Sequence, residues 1–229
     1  MENKALLLPV GDLFKKSFQI YKEKYRAFIG ISSINLPLFL LFPLFSFLDY
    51  HFREPIVSNL ALLIIAIIVM IIAGLTGAII KLWSFASTIF FIRERNANDN
   101  IRYFLALGWS KLNAYLWVYL LMSVISVIGF ILFIIPGIIF SVWYSLSLYI
   151  FANENVRGME ALKRSKELVA GNWWAVFNRF LALGIILLII AVVTGWAPLI
   201  GSLVNLFFIM PFSLIYGYLL YEDLKRVKT

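Results

Sequence analysis

One uninterrupted apolar stretch limits what this chain can fold into more than any other feature. Residues 57–92 are 36 consecutive positions with a single charged side chain, Lys81. A soluble domain could not cover such a stretch with polar surface, and disordered chains are poor in apolar residues. The whole chain has the same character, since 62% of its residues are hydrophobic and only 14% are charged. The sequence therefore predicts an all-α, polytopic membrane helix bundle.

Six apolar stretches are long enough to be transmembrane helices, because about 20 apolar residues cross the hydrocarbon core of a bilayer. The connectors between them are of two kinds, long and basic or short and nearly uncharged, and one short connector is a predicted turn at Pro136–Gly137. The 229 residues then form one integral membrane domain, residues 1–229. We predict the spans near residues 28–48, 57–80, 113–135, 138–153, 174–194 and 199–221.

The basic residues lie on one side of this arrangement. Of the 20 Lys and Arg residues, 19 fall within or beside the long connectors and chain ends, and only Arg53 falls in a short connector. Because basic residues concentrate on the cytoplasmic side of a membrane, both termini are predicted to be cytoplasmic and the number of spans even. The net charge of +8 then belongs to a surface that faces anionic lipid, and we expect no nucleic-acid partner.

Residues 57–92 have two interpretations. As one helix they would be about 54 Å long, which exceeds the thickness of the bilayer core. Alternatively they form two short spans that break between Gly74 and Gly77, which would place the basic residues that follow on the outside. The charge distribution favours one long helix, tilted or kinked, with Lys81 near the cytoplasmic interface.

Three connectors are predicted to be interfacial amphipathic helices on the cytoplasmic face: residues 1–27, 100–112 and 156–171. Either Asn98 or Asp99 is expected to cap the second helix. In the third, the spacing of Glu160 and Arg164 predicts an ion pair one turn apart. In the first, the apolar face carries Val10, Leu13, Phe14, Ser17, Ile20, Tyr21, Tyr25 and Phe28.

The basic and aromatic residues of these connectors are the candidate lipid-binding groups. Each Lys or Arg beside an anionic leaflet contributes about 1 kcal/mol of attraction, and Trp favours the membrane–water interface. An alternative is that these charges only orient the chain in the membrane. The candidates are Lys15, Lys16, Lys22, Arg26, Lys163, Arg164, Lys166, Trp173 and Trp174.

Few residues could carry catalysis or hold a metal. The chain has no Cys and one His, His51, so a thiolate or His-rich metal site cannot be built within it. Asp49, His51 and Glu54 form a charged cluster in a short connector, where His and carboxylate could perform acid–base chemistry. A solvated loop between two spans is the preferred explanation of this cluster. We predict no enzyme activity, no cofactor and no metal.

Transport is an alternative function. Asn35 and Pro37 lie in the first predicted span, where proline removes a backbone donor and kinks a helix. Broken helices with polar neighbours form the binding sites of many transporters. Asn205 and Tyr216 in the sixth predicted span would contribute to such a cavity. A kinked structural helix with interhelical hydrogen bonds explains the same four residues.

One part of the chain resembles a known family. The segment Ile134-Ile-Pro-Gly-Ile-Ile-Phe140 and the segment from Asn155 to Trp174 look like the membrane domain attached to some bacterial glycerophosphodiester phosphodiesterases. The same pattern is similar to stand-alone bacterial membrane proteins of the YciC-like type. The resemblance implies six spans, cytoplasmic surface helices and a place in the bacterial plasma (inner) membrane. It implies no phosphodiesterase activity, because that family's catalytic barrel is a separate soluble domain rich in His and acids.

These observations favour a non-catalytic, multi-pass inner-membrane protein that acts as a scaffold for lipids, above all anionic ones, or for a protein partner in the membrane. Its link to membrane lipid or envelope metabolism rests on the resemblance alone. The alternative is a small transporter or permease subunit that uses the kinked first span. An intramembrane enzyme around His51 ranks last.

Overall fold

The computed structural model describes residues 7–38, 59–97 and 99–228, and it contains helices and no strand within these ranges. The all-α prediction is confirmed for this part of the chain. A 3-10 turn, Ser33–Asn35, follows the first helix, and a π-helical turn, Asn205–Ile209, precedes the last one. The α-helices are α1 (Val10–Ser32), α2 (Leu60–Glu94), α3 (Ile101–Ser110), α4 (Leu112–Leu132), α5 (Ile134–Tyr144), α6 (Ser147–Glu154), α7 (Met159–Val169), α8 (Trp173–Thr194), α9 (Pro198–Val204) and α10 (Met210–Lys228).

Five helical units are long and apolar enough to cross a membrane, judged by length and composition. They are α2, α4, α5 with α6, α8, and the unit that runs from α9 to α10. These units correspond to five of the six predicted spans. The other predicted span, near residues 28–48, extends into residues 39–58, which lie outside the described ranges, so a sixth span stays a prediction.

The long apolar stretch is one continuous helix. α2 contains 35 residues and runs through Gly74 and Gly77 without a break, as the charge distribution favoured. Its environment changes along its length. None of the 18 consecutive residues that form its most apolar part is buried, whereas residues 86–92 are all buried. One part of α2 therefore presents bare apolar side chains, and the other part lies inside a protein core.

That core is built where the ends of several helices meet. It joins α1, the end of α2, α6, α7 and the C-terminal half of α10. At its centre Phe91 of α2 contacts Phe28 of α1 and Phe104 of α3 edge to face, with ring centroids 5.1 and 5.2 Å apart. Such contacts add about 0.5–1.5 kcal/mol each beyond the burial of their area. This end of the molecule is thus packed like a soluble domain, while the apolar helices extend from it.

The turn between α4 and α5 is displaced from its predicted position. The break is at Phe133, which has extended backbone angles, three residues before the predicted Pro136–Gly137 turn. Pro136 lies instead in the first turn of α5, where a backbone N–H would have no acceptor within the helix, so its absence from proline costs nothing. Gly137 allows the close return of the chain, because a Cβ there would lie 2.4 Å from the ring of Phe130.

Two predicted spans differ from the structure in shape. The span predicted at 138–153 is two helices, α5 and α6, separated by a turn at Ser145 and Leu146. The span predicted at 199–221 does not stop there, because α10 continues to Lys228. The reason is that Tyr221 and Leu224 are buried against neighbouring helices, so packing extends the helix beyond its apolar stretch.

The cap of α3 was also predicted wrongly. Asn100, and neither Asn98 nor Asp99, is the N-cap residue, and its side-chain oxygen accepts hydrogen bonds from the backbone N–H groups of Arg102 and Tyr103. The helix begins one residue later than expected, so the residue directly before it satisfies the free donors of its first turn.

α1 packs against the last helix of the chain. It runs antiparallel to α10, so that Phe14 contacts Tyr216 at 4.9 Å and Tyr21 contacts Phe208 at 5.1 Å between ring centroids. Leu13, on the predicted apolar face, is fully buried. Tyr25 was assigned to the same face but is exposed, because the helix bends at Lys24, whose φ of −117° and ψ of 20° are not helical.

Candidate functional site

Four predicted lipid-binding lysines point away from the core. Lys15, Lys16 and Lys22 are exposed on α1, and Lys163 is exposed on α7. Within the part of the chain that the structure describes, none of the four has an acidic partner within 4.0 Å. Their charges are therefore available to ligands outside the protein.

Two further candidates contact aromatic rings. The Nζ atom of Lys166 lies 4.5 Å from the ring centroid of Trp143, within the range of a cation–π interaction. The Nε atom of Arg26 donates a hydrogen bond of 3.2 Å to the hydroxyl of Tyr25. This bond is the main reason that the pKa of Arg26 is raised above its usual value. Both cations keep exposed surface.

Arg164 has a different role from the other candidates. Its guanidinium donates to Glu154 at 2.8 Å and to Glu160 at 3.0 Å, and these bonds raise its pKa. The predicted ion pair between Glu160 and Arg164 is thus present. The contact with Glu154, ten residues earlier in the chain, fastens α7 to the end of α6, so Arg164 acts mainly inside the protein.

The two predicted interfacial tryptophans contact each other edge to face, but they differ in exposure. Trp174 is 70% exposed, as expected of a group that contacts a membrane interface. Trp173 instead packs in parallel on Phe177 with ring centroids 5.2 Å apart, and its Nε1 atom is buried without a partner among the described residues. Trp174 is therefore the member of the pair that remains available for lipid.

Sequence reasoning missed the Glu154 network, which consists of Glu154, Arg164, Tyr221 and Lys225. One carboxylate oxygen of Glu154 accepts hydrogen bonds from the Tyr221 hydroxyl and the Lys225 ammonium group, both at 3.0 Å, and the other accepts from Arg164. The network joins the ends of α6, α7 and α10. A polar residue between two apolar helices was its only signal in the sequence.

A second group of contacts holds the chain near its start. The N–H of Leu8 donates to Asp223 at 2.7 Å, and its carbonyl accepts from Arg179 at 2.5 Å. Asp223 is 4% exposed and Arg179 is 9% exposed, so both charges are nearly removed from solvent. Leu8, two residues before α1, is therefore fastened to α8 and α10 at once.

The four transport candidates do not share a polar contact. Asn35 is buried, and its amide donates to the carbonyl of Ser32 at 3.1 Å. Tyr216 is fully buried and donates to the carbonyl of Arg179 at 3.0 Å. Asn205 and Pro37 are exposed. These contacts are the local and interhelical hydrogen bonds of a structural bundle.

A proline explains one long-range hydrogen bond. In a regular α-helix the carbonyl of Phe207 would accept from the N–H of residue 211, but Pro211 has none. The hydroxyl of Tyr21 donates to this carbonyl at 3.0 Å. α1 thus supplies a donor to a carbonyl of the π-helical turn, at a place where Pro211 offers no α-helical N–H.

The residues that the structure describes include no group of three or more His, Asp or Glu side chains placed to hold a metal. The cluster of Asp49, His51 and Glu54 lies outside the described residues. An open groove of about 490 Å³ lies between α1 and the start of α3, where Lys24 donates to both carboxylate oxygens of Asp99 at 2.8 Å. Its charged groups therefore neutralise each other in part.

Comparison with known proteins gives no relative, because no family model, no curated protein and no solved structure matches this chain. The resemblance to the phosphodiesterase-associated membrane domain stays a prediction. The functional argument accordingly rests on the placement of charges and apolar surface alone.

Proposed function

We propose that this protein is a non-catalytic, multi-pass scaffold of the bacterial inner membrane that associates with anionic lipids. One observation carries the proposal: the basic residues divide into two groups. The first group is held inside the protein by carboxylates or backbone carbonyls, as Arg164 and Arg179 are. Those on the outer surfaces of α1 and α7, such as Lys22 and Lys163, have no acidic partner among the described residues.

The physical reason is that a lysine already paired with a carboxylate gains little binding free energy from a lipid phosphate. A lysine without an acidic partner gains the full electrostatic attraction to that phosphate. A cation near an anionic leaflet contributes about 1 kcal/mol. The Glu154 network supports this arrangement, because it fixes the position of α7 and so keeps Lys163 and Lys166 on its outer side. Bare apolar surface on α2, α4 and α8 offers a place for acyl chains or for a protein partner in the membrane.

The observations favour a scaffold over a transporter. A transport path needs polar groups that converge on one cavity, and Asn35, Asn205 and Tyr216 have separate environments. Membership of the phosphodiesterase-associated membrane-domain or YciC-like family, and with it a link to membrane lipid or envelope metabolism, is part of the proposal and rests on the residues 130–175.

Lipid association is tested with the full chain in nanodiscs that contain phosphatidylcholine alone or with phosphatidylglycerol. Native mass spectrometry measures how strongly phosphatidylglycerol is retained. The test variant is Lys22→Gln, and the matched control is Lys24→Gln, which removes the same charge from the same helix but from a lysine held by Asp99. We expect about fivefold weaker retention for Lys22→Gln, which corresponds to about 1 kcal/mol, and a smaller change for the control. Equal losses in both variants, or no preference for phosphatidylglycerol, would contradict the proposal.

Orientation is tested independently with topology reporters. A reporter inserted within residues 49–56 should read outside, and one within residues 95–100 should read inside, because the basic connectors are predicted to be cytoplasmic. The reverse reading at either position would refute the proposed cytoplasmic termini without bearing on the lipid measurement.

A further inference from the structure

The surface of α1 that is available to a membrane is not its most apolar face. That face is occupied by protein, since Leu13 and Phe28 are fully buried and Phe14 packs against Tyr216. A bilayer can therefore reach α1 only through its outward side. In a helical wheel of the sequence this side is the more polar one, which would be expected to face water.

This outward side divides into two strips. At 3.6 residues per turn, Lys15, Phe18 and Lys22 lie within about 60° of one another around the helix axis. Tyr25, Arg26 and Ile29 continue the same side of the helix, and the six residues together span about 100°. We call this exposed set the outer strip. A second exposed set spans about 60° and is called the polar strip. The outer strip is Lys15, Phe18, Lys22, Tyr25, Arg26 and Ile29, and the polar strip is Asp12, Lys16, Gln19 and Glu23.

The two strips differ in apolar content. The outer strip contains three exposed apolar or aromatic side chains: Phe18 is 53% exposed, Tyr25 is 43% exposed and Ile29 is 37% exposed. Each of them could bury its side chain at a lipid interface. The polar strip contains no apolar residue and makes its own contact, a hydrogen bond of 2.9 Å from Gln19 to Glu23. Alternation of exposed aromatic and basic groups is typical of surfaces that lie at the headgroup level.

The two strips also differ in charge. The outer strip carries three positive charges and no acid, whereas the polar strip carries one Lys against Asp12 and Glu23. Neither Lys15 nor Lys22 has an acidic partner among the described residues. The outer strip is thus complementary to anionic headgroups, and the polar strip is not.

The outer strip also leads into the bare apolar part of the bundle. Beyond Ile29, Leu36 is 37% exposed, and the side chain of Leu38 lies 3.5 Å from where a Cβ of Gly77 would be. Gly77 belongs to the part of α2 whose flanking residues Leu75 and Ile79 are exposed. The apolar segment that follows α1 and the 3-10 turn therefore meets the exposed apolar surface of α2 near Gly77.

We infer that α1 contacts the anionic bilayer surface through the outer strip, with Phe18, Tyr25 and Ile29 among the headgroups and with Lys15, Lys22 and Arg26 on lipid phosphates, while the polar strip faces water. The inference rests on the proposed association with anionic lipid and names the surface that performs it. It also separates Lys16, which lies on the polar strip, from the other basic candidates of α1.

The absence of cysteine from the chain makes a direct test available, since any introduced cysteine is unique. Full-length Phe18→Cys and Tyr25→Cys report on the outer strip, and Gln19→Cys and Glu23→Cys report on the polar strip. All four positions are exposed, so the substitutions leave the core intact. Each variant is spin-labelled and placed in vesicles of phosphatidylcholine with phosphatidylglycerol, and its collisions with oxygen and with a water-soluble nickel chelate are measured.

Labels at residues 18 and 25 should collide mainly with oxygen, and labels at residues 19 and 23 mainly with the nickel chelate. Equal exposure of both strips to the nickel chelate would overturn the inference. If phosphatidylglycerol is still retained in that case, the proposed function stands and only the assignment to α1 fails.

A charge comparison completes the test. Lys22→Gln should weaken phosphatidylglycerol retention about fivefold, and Lys16→Gln should weaken it less. Equal effects of the two substitutions would overturn the charge argument for the outer strip. If neither substitution weakens retention, the assignment to α1 fails, and if the native protein itself shows no preference for phosphatidylglycerol, the proposed lipid association fails with it.

Discussion

The hydrogen bond from Tyr21 to the carbonyl of Phe207 gives the sharpest prediction about how α1 is held. The bond is 3.0 Å long and joins residues 186 positions apart. Tyr21→Phe removes the donor and keeps the ring against Phe208. The carbonyl of Phe207 then has neither Tyr21 nor an N–H at position 211, because residue 211 is proline.

The expected cost follows from the loss of this hydrogen bond at an acceptor for which Pro211 offers no α-helical donor. An unsatisfied buried polar group costs about 1–3 kcal/mol, and the lower part of this range applies because Tyr21 and Phe207 are only half-buried. We expect a loss of about 1 kcal/mol, which for a chain of this size lowers the unfolding midpoint by about 2–4 °C. Thermal unfolding in detergent micelles, followed by circular dichroism, measures it. Tyr103→Phe, which removes an exposed hydroxyl on α3, should leave the midpoint unchanged.

A double-mutant cycle decides whether Pro211 is the cause. Pro211→Ala supplies an N–H four residues after Phe207, so Tyr21→Phe should cost less in that background than in the native sequence. The coupling should be about 0.5–1 kcal/mol. If Tyr21→Phe lowers the free energy of unfolding equally with and without Pro211, the reasoning is refuted. That result would show that the missing N–H of Pro211 is not the reason why the Phe207 carbonyl needs Tyr21.

Two further substitutions test the packing and the Glu154 network. Gly217→Ala should destabilise the protein by about 1–3 kcal/mol in the same unfolding assay, because its Cβ would lie 2.3 Å from the hydroxyl of Tyr149. Gly184→Ala is the control in an open position and should be neutral or stabilising, so equal losses would contradict the contact with Tyr149. Glu154→Gln should lower stability by about 1 kcal/mol, because its carboxylate has three donors, whereas Glu160→Gln should cost under about 0.5 kcal/mol. A larger effect at Glu160 would show that the network is not centred on Glu154.

Local features of the fold could be read from the sequence because they depend on near neighbours. The ion pair of Glu160 with Arg164 follows from one helical turn of spacing, and the structure contains it. The continuity of α2 followed from the charge distribution. The position of the turn at Phe133 could not be derived, because Pro is accepted in the first turn of a helix as readily as in a loop.

The candidate site was predictable in its composition but not in its arrangement. The basic residues of α1 and α7 were evident as a set, yet nothing in the set marked Arg164 as the one held by Glu154. The position of Glu154 between apolar helices did not indicate its partners, because its other donors, Tyr221 and Lys225, lie more than 60 residues away in the chain. Pairing between distant segments depends on how helices dock, and local periodicity carries no information about that.

By itself, the sequence determined the helical class, the long apolar helices and the concentration of positive charge in the connectors. These properties follow from hydrogen bonds and hydrophobicity within single segments, which are local. Only the tertiary structure decided which cations remain unpaired and which face of α1 is outward. The reason is that α10 and α2 bury the face of α1 that contains Leu13 and Phe28, and this burial leaves Phe18 and Lys22 as the surface that a membrane can reach.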